Sequence, residues 1–243
     1  MSRSPRALVW QSLCVALTLG LLLTLGVWQL RRLEWKESLI ARVETRSRTA
    51  PGALPPQNDW AGLLGENYDY RHVQAKGRFD LAKSAQIFAL APAGAGQEPG
   101  FFVLMPLRLE SGGVVLVNRG FVAQSKAGGG AWRLKPNETT TITGWLRPPQ
   151  SRNTFTPADD PGKGQWYTSD PAKIAAALGL TEAAPFVLQQ EDAVGLEDEL
   201  FRLAPDASDL PNNHLSYAVT WFGLAAALAI VYAVYARSRI SAL

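Results

Sequence analysis

The sequence predicts a membrane protein with two transmembrane α-helices, one near each terminus. They flank a mostly antiparallel, β barrel- or sandwich-like extracytoplasmic domain with one short helix. Three observations point there. Two charge-free apolar stretches, Ala7–Leu30 and His214–Ala236, stand near the ends of the 243-residue chain. Every Asp and Glu lies between them, in residues 31–213. That middle stretch is made of short β-branched and aromatic runs separated by Gly and Pro, the pattern of antiparallel strands.

The elements follow in order. Residues 1–6 are a short tail holding Arg3 and Arg6. Residues 7–30 exceed the roughly 20 needed to span a hydrocarbon core of about 30 Å. The run is long for a signal peptide and ends in Trp-Gln-Leu-Arg-Arg with no small-residue cleavage site, so it reads as an uncleaved signal anchor. Leu33–Arg48 is charged and free of Pro and Gly, which continues the helix into water; APGALPPQND then stops it. Strand runs follow at YDYRHVQAKGRFD, AQIFALA, GFFVLMPLRLE, GVVLVNRGFVA, TTTITGWLR and PFVLQQE, about six in all. His72, in the first of them, reads as a surface strand residue. DPAKIAAALG, Asp170–Gly179, reads as the one helix, with Asp170 as N-cap, Pro171 in the first turn and Gly179 at the C-cap. APAGAGQEPG and KAGGGAW read as loops. Residues 214–236 form the second span, and residues 237–243 close the chain as a tail with Arg237 and Arg239.

Charge sets the expected orientation. Residues 1–30 and 214–243 carry four arginines and no acid, whereas residues 31–213 hold the other 20 basic residues against all 21 acidic ones. Positive flanks stay on the cytoplasmic side. Both termini are therefore expected in the cytoplasm and residues 31–213 in the periplasm, across a bacterial inner membrane, since no Arg- and Ser-rich amphipathic transit segment is evident.

Several function classes drop out. The sequence pI of about 9.1 does not signal nucleic acid, because the middle domain is nearly neutral and has no basic stripe. One Cys, placed in the first span, permits no internal disulfide, and with two His excludes zinc fingers and iron–sulfur ligation. No G-x-S-x-G, H-E-x-x-H, P-loop or dinucleotide fingerprint is present. No catalytic residue is assigned.

Antiparallel passage brings GVWQLRRLEWK (Gly26–Lys36) and PNNHLSYAVTW (Pro211–Trp221) to one depth. Tyr217 and Trp221 stand three and seven residues beyond His214, on its helical face. Small residues at Gly223, Ala227 and Ala229 suit close helix approach. A neutral imidazole there can ligate haem iron, with Tyr and Trp beside the porphyrin and Arg31 or Arg32 toward its propionates. The same residue types also serve as interfacial anchors, and Asn212 and Asn213 suit a helix cap. Both readings stay open on the residues alone. In VNRG, Val117–Gly120, the expectation is a bulge or turn with Gly120 at an unusual φ, and Arg119 as a buried ion-pair residue or a partner contact.

GVWQLRRLEWK, VVLVNRGFVA and NNHLSYAVTWFGLA, set between terminal membrane helices, resemble the surfeit-locus (Shy-type) family of cytochrome c oxidase assembly proteins. Smaller matches, YRHVQAKGRFD, FTPADDPGKGQWY and the Gly-Trp of residues 144–145, extend the resemblance over essentially the whole chain. It implies an assembly factor without catalytic turnover that holds or presents haem a, transiently bound, to the nascent large oxidase subunit. It also implies contact with the bilayer and with haem a synthesis machinery. A haem-independent scaffold for the apo-subunit is the alternative, and a membrane-anchored periplasmic enzyme a further one. The family's histidine falls on His214, and its Trp-Gln and Arg pattern on Trp28, Gln29, Arg31 and Arg32. Together with Tyr217 and Trp221 these are the expected haem-binding residues, His214 being the expected iron ligand. Gly195–Leu210 departs from the family pattern in being acidic and poor in glycine.

Overall fold

The computed structural model describes residues 5–63, 65–129, 138–191, 199–205 and 210–240. The chain divides into two compact units, residues 1–42 with 207–243, and residues 43–206. Much of the acidic 195–210 segment falls outside the described residues.

The helical unit contains most of α1 (Pro5–Arg48) and all of α4 (His214–Ile240). α1 is one continuous helix, as expected from a segment without Pro or Gly after the apolar stretch. Both helices are long and apolar enough to cross a membrane. Leu13, Leu17 and Leu21 of α1 and Val219, Ile230 and Val234 of α4 are exposed. A row of such residues is what a lipid-facing surface presents, and is unusual for one facing water.

The second unit is a β-barrel. β2 (His72–Phe79) pairs with β6 (Thr139–Arg147), which pairs with β8 (Ala183–Gln190). β8 runs parallel to β5 (Val114–Ala123), and β5 pairs with β4 (Gly100–Leu109). The far end of β4 returns to β2 through Leu107–Leu109, closing a ring of five strands. Three short strands extend it: β1 (Gly52–Ala53) beside β2, β3 (Ala85–Ala89) beside β4, and β7 (Gln165–Trp166) beside β3. β1, β7 and the single-turn α2 (Gly65–Tyr68) are too short to carry a periodic signal.

Alternation along the strands fills the interior. Val73 and Ala75, Val115 and Val117, Ile142 and Leu146, and Phe186 and Leu188 meet in one buried cluster with Trp60 and Tyr68. Burial pushes the Tyr68 phenol above its ordinary 10.0, and the neighbouring Asp69 carboxylate adds to the shift. On the other face, Leu104, Leu116 and Val187 pack with Trp166 and with Ile174 of α3 (Pro171–Ala177). The Asp170 carboxylate accepts from the Lys173 N–H at 3.2 Å, capping α3 as expected. Leu178 is the C-cap, one residue earlier than expected, and Gly179 follows it at φ +60°.

The last turn of α1 belongs to this unit. Arg46 Nη1 donates to the Asp69 carbonyl at 2.9 Å, and Trp145 Nε1 to the Ser47 carbonyl at 3.2 Å. His72 corrects the surface reading. Its ring stacks on Trp145 with centroids 5.1 Å apart, and its side chain is only 10% exposed. Nδ1 faces the Thr49 carbonyl at 2.8 Å and Nε2 faces Glu191 Oε2 at 3.1 Å. His72 therefore ties the segment leaving α1 to the barrel.

Candidate functional site

In the helical unit α1 and α4 run antiparallel, with a seam legible in their spacing. On α1 one stripe of half-buried and buried positions runs through Val15, Leu19, Leu22, Gly26, Gln29 and Leu33, with Leu25 beside it; on α4 one runs through His214, Ala218, Trp221, Ala225, Leu228 and Tyr232, with Phe222 beside it. Steps of three and four alternate on both, which keeps one stripe of each helix facing its partner. Small residues set the approach. Ala218 and Ala225 are 1% and 4% exposed. A Cβ on Gly26 would lie 2.7 Å from the Phe222 ring, so this glycine is where the helices close up. Gly223 faces open space and Ala227 and Ala229 are exposed, so these three do not form the contact expected of them.

Polar side chains meet across the seam at both ends. Tyr235 donates its hydroxyl to Gln11 Oε1 at 3.0 Å, and Ser12 bonds Tyr232. At the opposite end His214 Nδ1 lies 2.7 Å from Gln29 Oε1. Gln29 is 8% exposed, a buried amide inside an apolar seam. Such a group requires a partner, and the imidazole supplies it. With an acceptor oxygen facing it, Nδ1 is the donor, and in a neutral ring that tautomer carries its lone pair on Nε2. Nε2 meets no hydrogen-bond partner among the described residues. His214 opens α4, its backbone N–H facing Asn212 Oδ1 at 3.4 Å, while the Tyr217 N–H reaches the Asn213 carbonyl at 3.2 Å. Asn212 thus caps with its side chain and Asn213 with its backbone.

The expected constellation divides. His214 and Gln29 are joined, and Trp221 is half-buried two turns along the same seam. Tyr217 is 55% exposed and turns away from the seam. Trp28 and Arg31 line a separate shallow groove on α1 with Leu23, Thr24 and Val27. Arg32 lays its guanidinium 3.8 Å over the Trp35 ring. Among the described residues no cluster of three or more His, Cys, Asp or Glu is placed to hold a metal ion. This end of the hairpin thus offers one imidazole held by one amide, with aromatic and cationic side chains on the neighbouring surfaces.

Residues 16–226 match the model of the SURF1 family. The chain is similar to a SURF1-like protein of Rickettsia bellii, 28% identical across 93% of this chain and 90% of the relative. It is 33% identical to a SURF1-like protein of Drosophila melanogaster and 28% identical to human Surfeit locus protein 1, in each case over 86% of this chain and 71% of the relative. A match that runs from within the first apolar helix, through the barrel and into the second establishes membership over the whole architecture: this chain belongs to the SURF1 family.

Proposed function

We propose that this protein is an assembly factor for cytochrome c oxidase that holds haem a at His214 and presents it to the nascent large subunit. The observation that carries the reading is the 2.7 Å bond between His214 Nδ1 and Gln29 Oε1. A metal-ligating histidine commonly donates its second ring nitrogen to a carbonyl or carboxylate, which fixes the tautomer and raises the basicity of the ligating nitrogen. Gln29 Oε1 is such a partner, and a neutral His214 that donates to it through Nδ1 keeps its lone pair on Nε2. The residues therefore fit a haem held by one histidine. Haem a, when bound, supplies the iron centre that the oxidase subunit needs. His214 would hold the iron through Nε2, Gln29 would orient the ring, and the exposed Trp28, Tyr217, Arg31 and Arg32 would offer apolar and cationic surface on the neighbouring faces. A single protein ligand suits a carrier that must release its cargo.

In this reading the chain lies in a bacterial inner membrane, both termini cytoplasmic and the barrel periplasmic. A reporter active only in the periplasm, fused after Gly129, is expected to work there; activity of a cytoplasm-only reporter at that site overturns the topology.

The same bond favours a second reading. Joining His214 to Gln29 is reason enough for a polar pair in a helical hairpin, and a scaffold that steadies the apo-subunit needs nothing more. His214→Gln separates the two, because an amide can keep the link to Gln29 but has no imidazole lone pair. Protein purified from cells able to make haem a is expected to show a haem absorption band, and the His214→Gln protein to be colourless yet inserted and stable. A parent protein that is colourless and still captures the large subunit supports the scaffold. An unchanged haem spectrum in the variant removes His214 as the ligand.

A further inference from the structure

The Val-Asn-Arg-Gly run has no part in the haem reading, yet it helps to line a cleft of the barrel unit. Phe102 pairs with Phe121 and Leu104 with Asn118, so Val103 stands opposite two residues, Arg119 and Gly120. This is a β-bulge, a device that re-aims side chains and often borders functional sites. Arg119 turns into the core, 1% exposed, its guanidinium 5.1 Å from the Phe79 ring centroid. Gly120 takes φ +131°, and a Cβ there would come within 2.8 Å of the Phe201 carbonyl. The missing side chain admits the segment Leu200–Leu203, which Phe121 and Phe201 hold by two reciprocal backbone bonds of 2.8 Å.

This strap is one wall of a cleft of about 430 Å³, within the roughly 300–1,000 Å³ typical of ligand sites. Pro148–Gln150 form the other wall. Both walls are tied down. Gln189 Nε2 donates to the Leu203 carbonyl at 2.9 Å. The Gln150 N–H donates to the Ser169 carbonyl at 2.9 Å, and the Ser169 N–H to Gln150 Oε1 at 3.2 Å. The cleft is therefore preformed.

Its chemistry has three parts. Ile87, Phe102 and Val187 give it an apolar floor. Arg147 and Arg202 line it, and no Asp or Glu does among the described residues. Arg147 is fixed in place, lying 4.1 Å from the Tyr70 ring centroid, 3.2 Å from Asp69 Oδ1 and 3.4 Å from Gln189 Oε1. Asn118, Gln150 and Gln189 also line the cleft and give it amide side chains whose carbonyl oxygens can accept. A ligand that matches all three parts carries an apolar side chain, a carboxylate and an amide N–H. A fatty acid lacks the N–H, and inorganic phosphate lacks the apolar body. The C-terminal residue of a peptide has all three, and capture of a terminal carboxylate is an established mode of peptide recognition.

We infer that this cleft binds the C-terminal residue of a partner polypeptide, its carboxylate facing Arg147 and Arg202 and its side chain on the apolar floor. The inference is independent of the haem reading. The test uses the full chain in detergent and two probes, N-acetyl-Gly-Ala-Phe with a free carboxylate and the same peptide as the carboxamide, with binding followed by saturation-transfer NMR. The acid is expected to bind at least about ten-fold more tightly than the amide, the scale of one charge-assisted contact. Asn118→Asp keeps the acceptor that Asn118 Oδ1 offers to the Gly120 N–H at 3.1 Å, so the bulge survives while a like charge enters the cleft. In this variant the acid is expected to lose about ten-fold and the amide to be unchanged. Equal binding of acid and amide, no binding of either at millimolar concentration, or unimpaired acid binding in Asn118→Asp overturns the inference.

Discussion

Replacing Gln29 with Leu tests whether the amide tunes the histidine or merely fills the seam. Leu roughly conserves the volume at a position that is 8% exposed and replaces the amide, whose oxygen lies 2.7 Å from His214 Nδ1, with methyl groups. Two effects follow. The helix pair loses one interhelical hydrogen bond, worth about 0.6 kcal/mol on average and up to about 1.7 in membrane proteins. That is too little to separate two helices still packed through Gly26, Ala218 and Ala225. The imidazole loses the acceptor that holds the proton on Nδ1, so the ring is free to rotate and to carry its proton on either nitrogen. Losing such an orienting partner typically lowers metal affinity 10- to 100-fold, or about 1.4–2.8 kcal/mol. Haem affinity, titrated by absorbance in detergent against the parent protein, is expected to fall in that range with expression unchanged. An affinity within two-fold of the parent, alongside loss of haem in His214→Gln, refutes the positioning role of Gln29 and leaves His214 as an unassisted ligand.

Other expectations follow from particular contacts. Gly26→Leu forces a branched side chain against the Phe222 ring, where even a Cβ would sit at 2.7 Å; overpacking of about 1–3 kcal/mol should cut Ser12→Cys/Tyr232→Cys crosslinking several-fold, and an undiminished yield would falsify the seam. Gly120→Ala puts a Cβ on a backbone at φ +131° and against the strap, costing about 1–3 kcal/mol in strain; the barrel should then melt roughly 2–12 °C lower, a change that near-UV circular dichroism would detect. His72→Ala removes a ring stack and two polar contacts and should destabilise the barrel by about 1–3 kcal/mol in urea unfolding. Tyr68 has its phenol raised above 10.0 by burial first and Asp69 second. The folded state therefore holds that proton more tightly, so the stability it contributes is complete below pH 10 and declines as pH rises further. Tyr68→Phe should flatten that alkaline decline, and an identical decline in the variant counts against the assignment.

The strands were legible where side-chain chemistry alternates or runs continuously. β4, β5, β6 and β8 fall on the runs that predict them because each buries β-branched and aromatic residues. The closure of the barrel was not legible. It depends on Leu107–Leu109 of β4 turning back onto Gly77–Phe79 of β2, a pairing between distant segments that no local pattern encodes. The parallel pairing of β5 with β8 is hidden for the same reason. The bulge at Arg119–Gly120 was expected from an Asn-Arg-Gly break in a hydrophobic strand, but its purpose was not, because the strap it admits lies some 80 residues away in sequence.

The candidate site shows the same division between local and distant information. A glutamine in an apolar helix needs a partner when it faces another helix, and steps of three and four along α1 place Gln29 on the seam with Leu22 and Gly26. Reading α4 the same way puts His214 on its seam with Ala218 and Trp221, so the pair could have been matched from spacing alone. The i+3 step that grouped Tyr217 with His214 was the weaker guide, since Ala218 at i+4 is the buried one. At 100° per residue, Arg31 lies about 200° around α1 from Gln29, and Arg32 is occupied with the Trp35 ring. Neither is on the seam, so their contacts with a haem held at His214 would be peripheral and solvent-screened. The residues should therefore rank by distance from the imidazole. His214→Gln should abolish haem retention, Gln29→Leu should weaken it 10- to 100-fold, and Arg31→Ala or Arg32→Ala should change it by no more than about five-fold, the scale of one exposed ion pair. An arginine variant that costs more than Gln29→Leu would reverse the order, and would move the centre of the site from the seam to the groove beside Trp28.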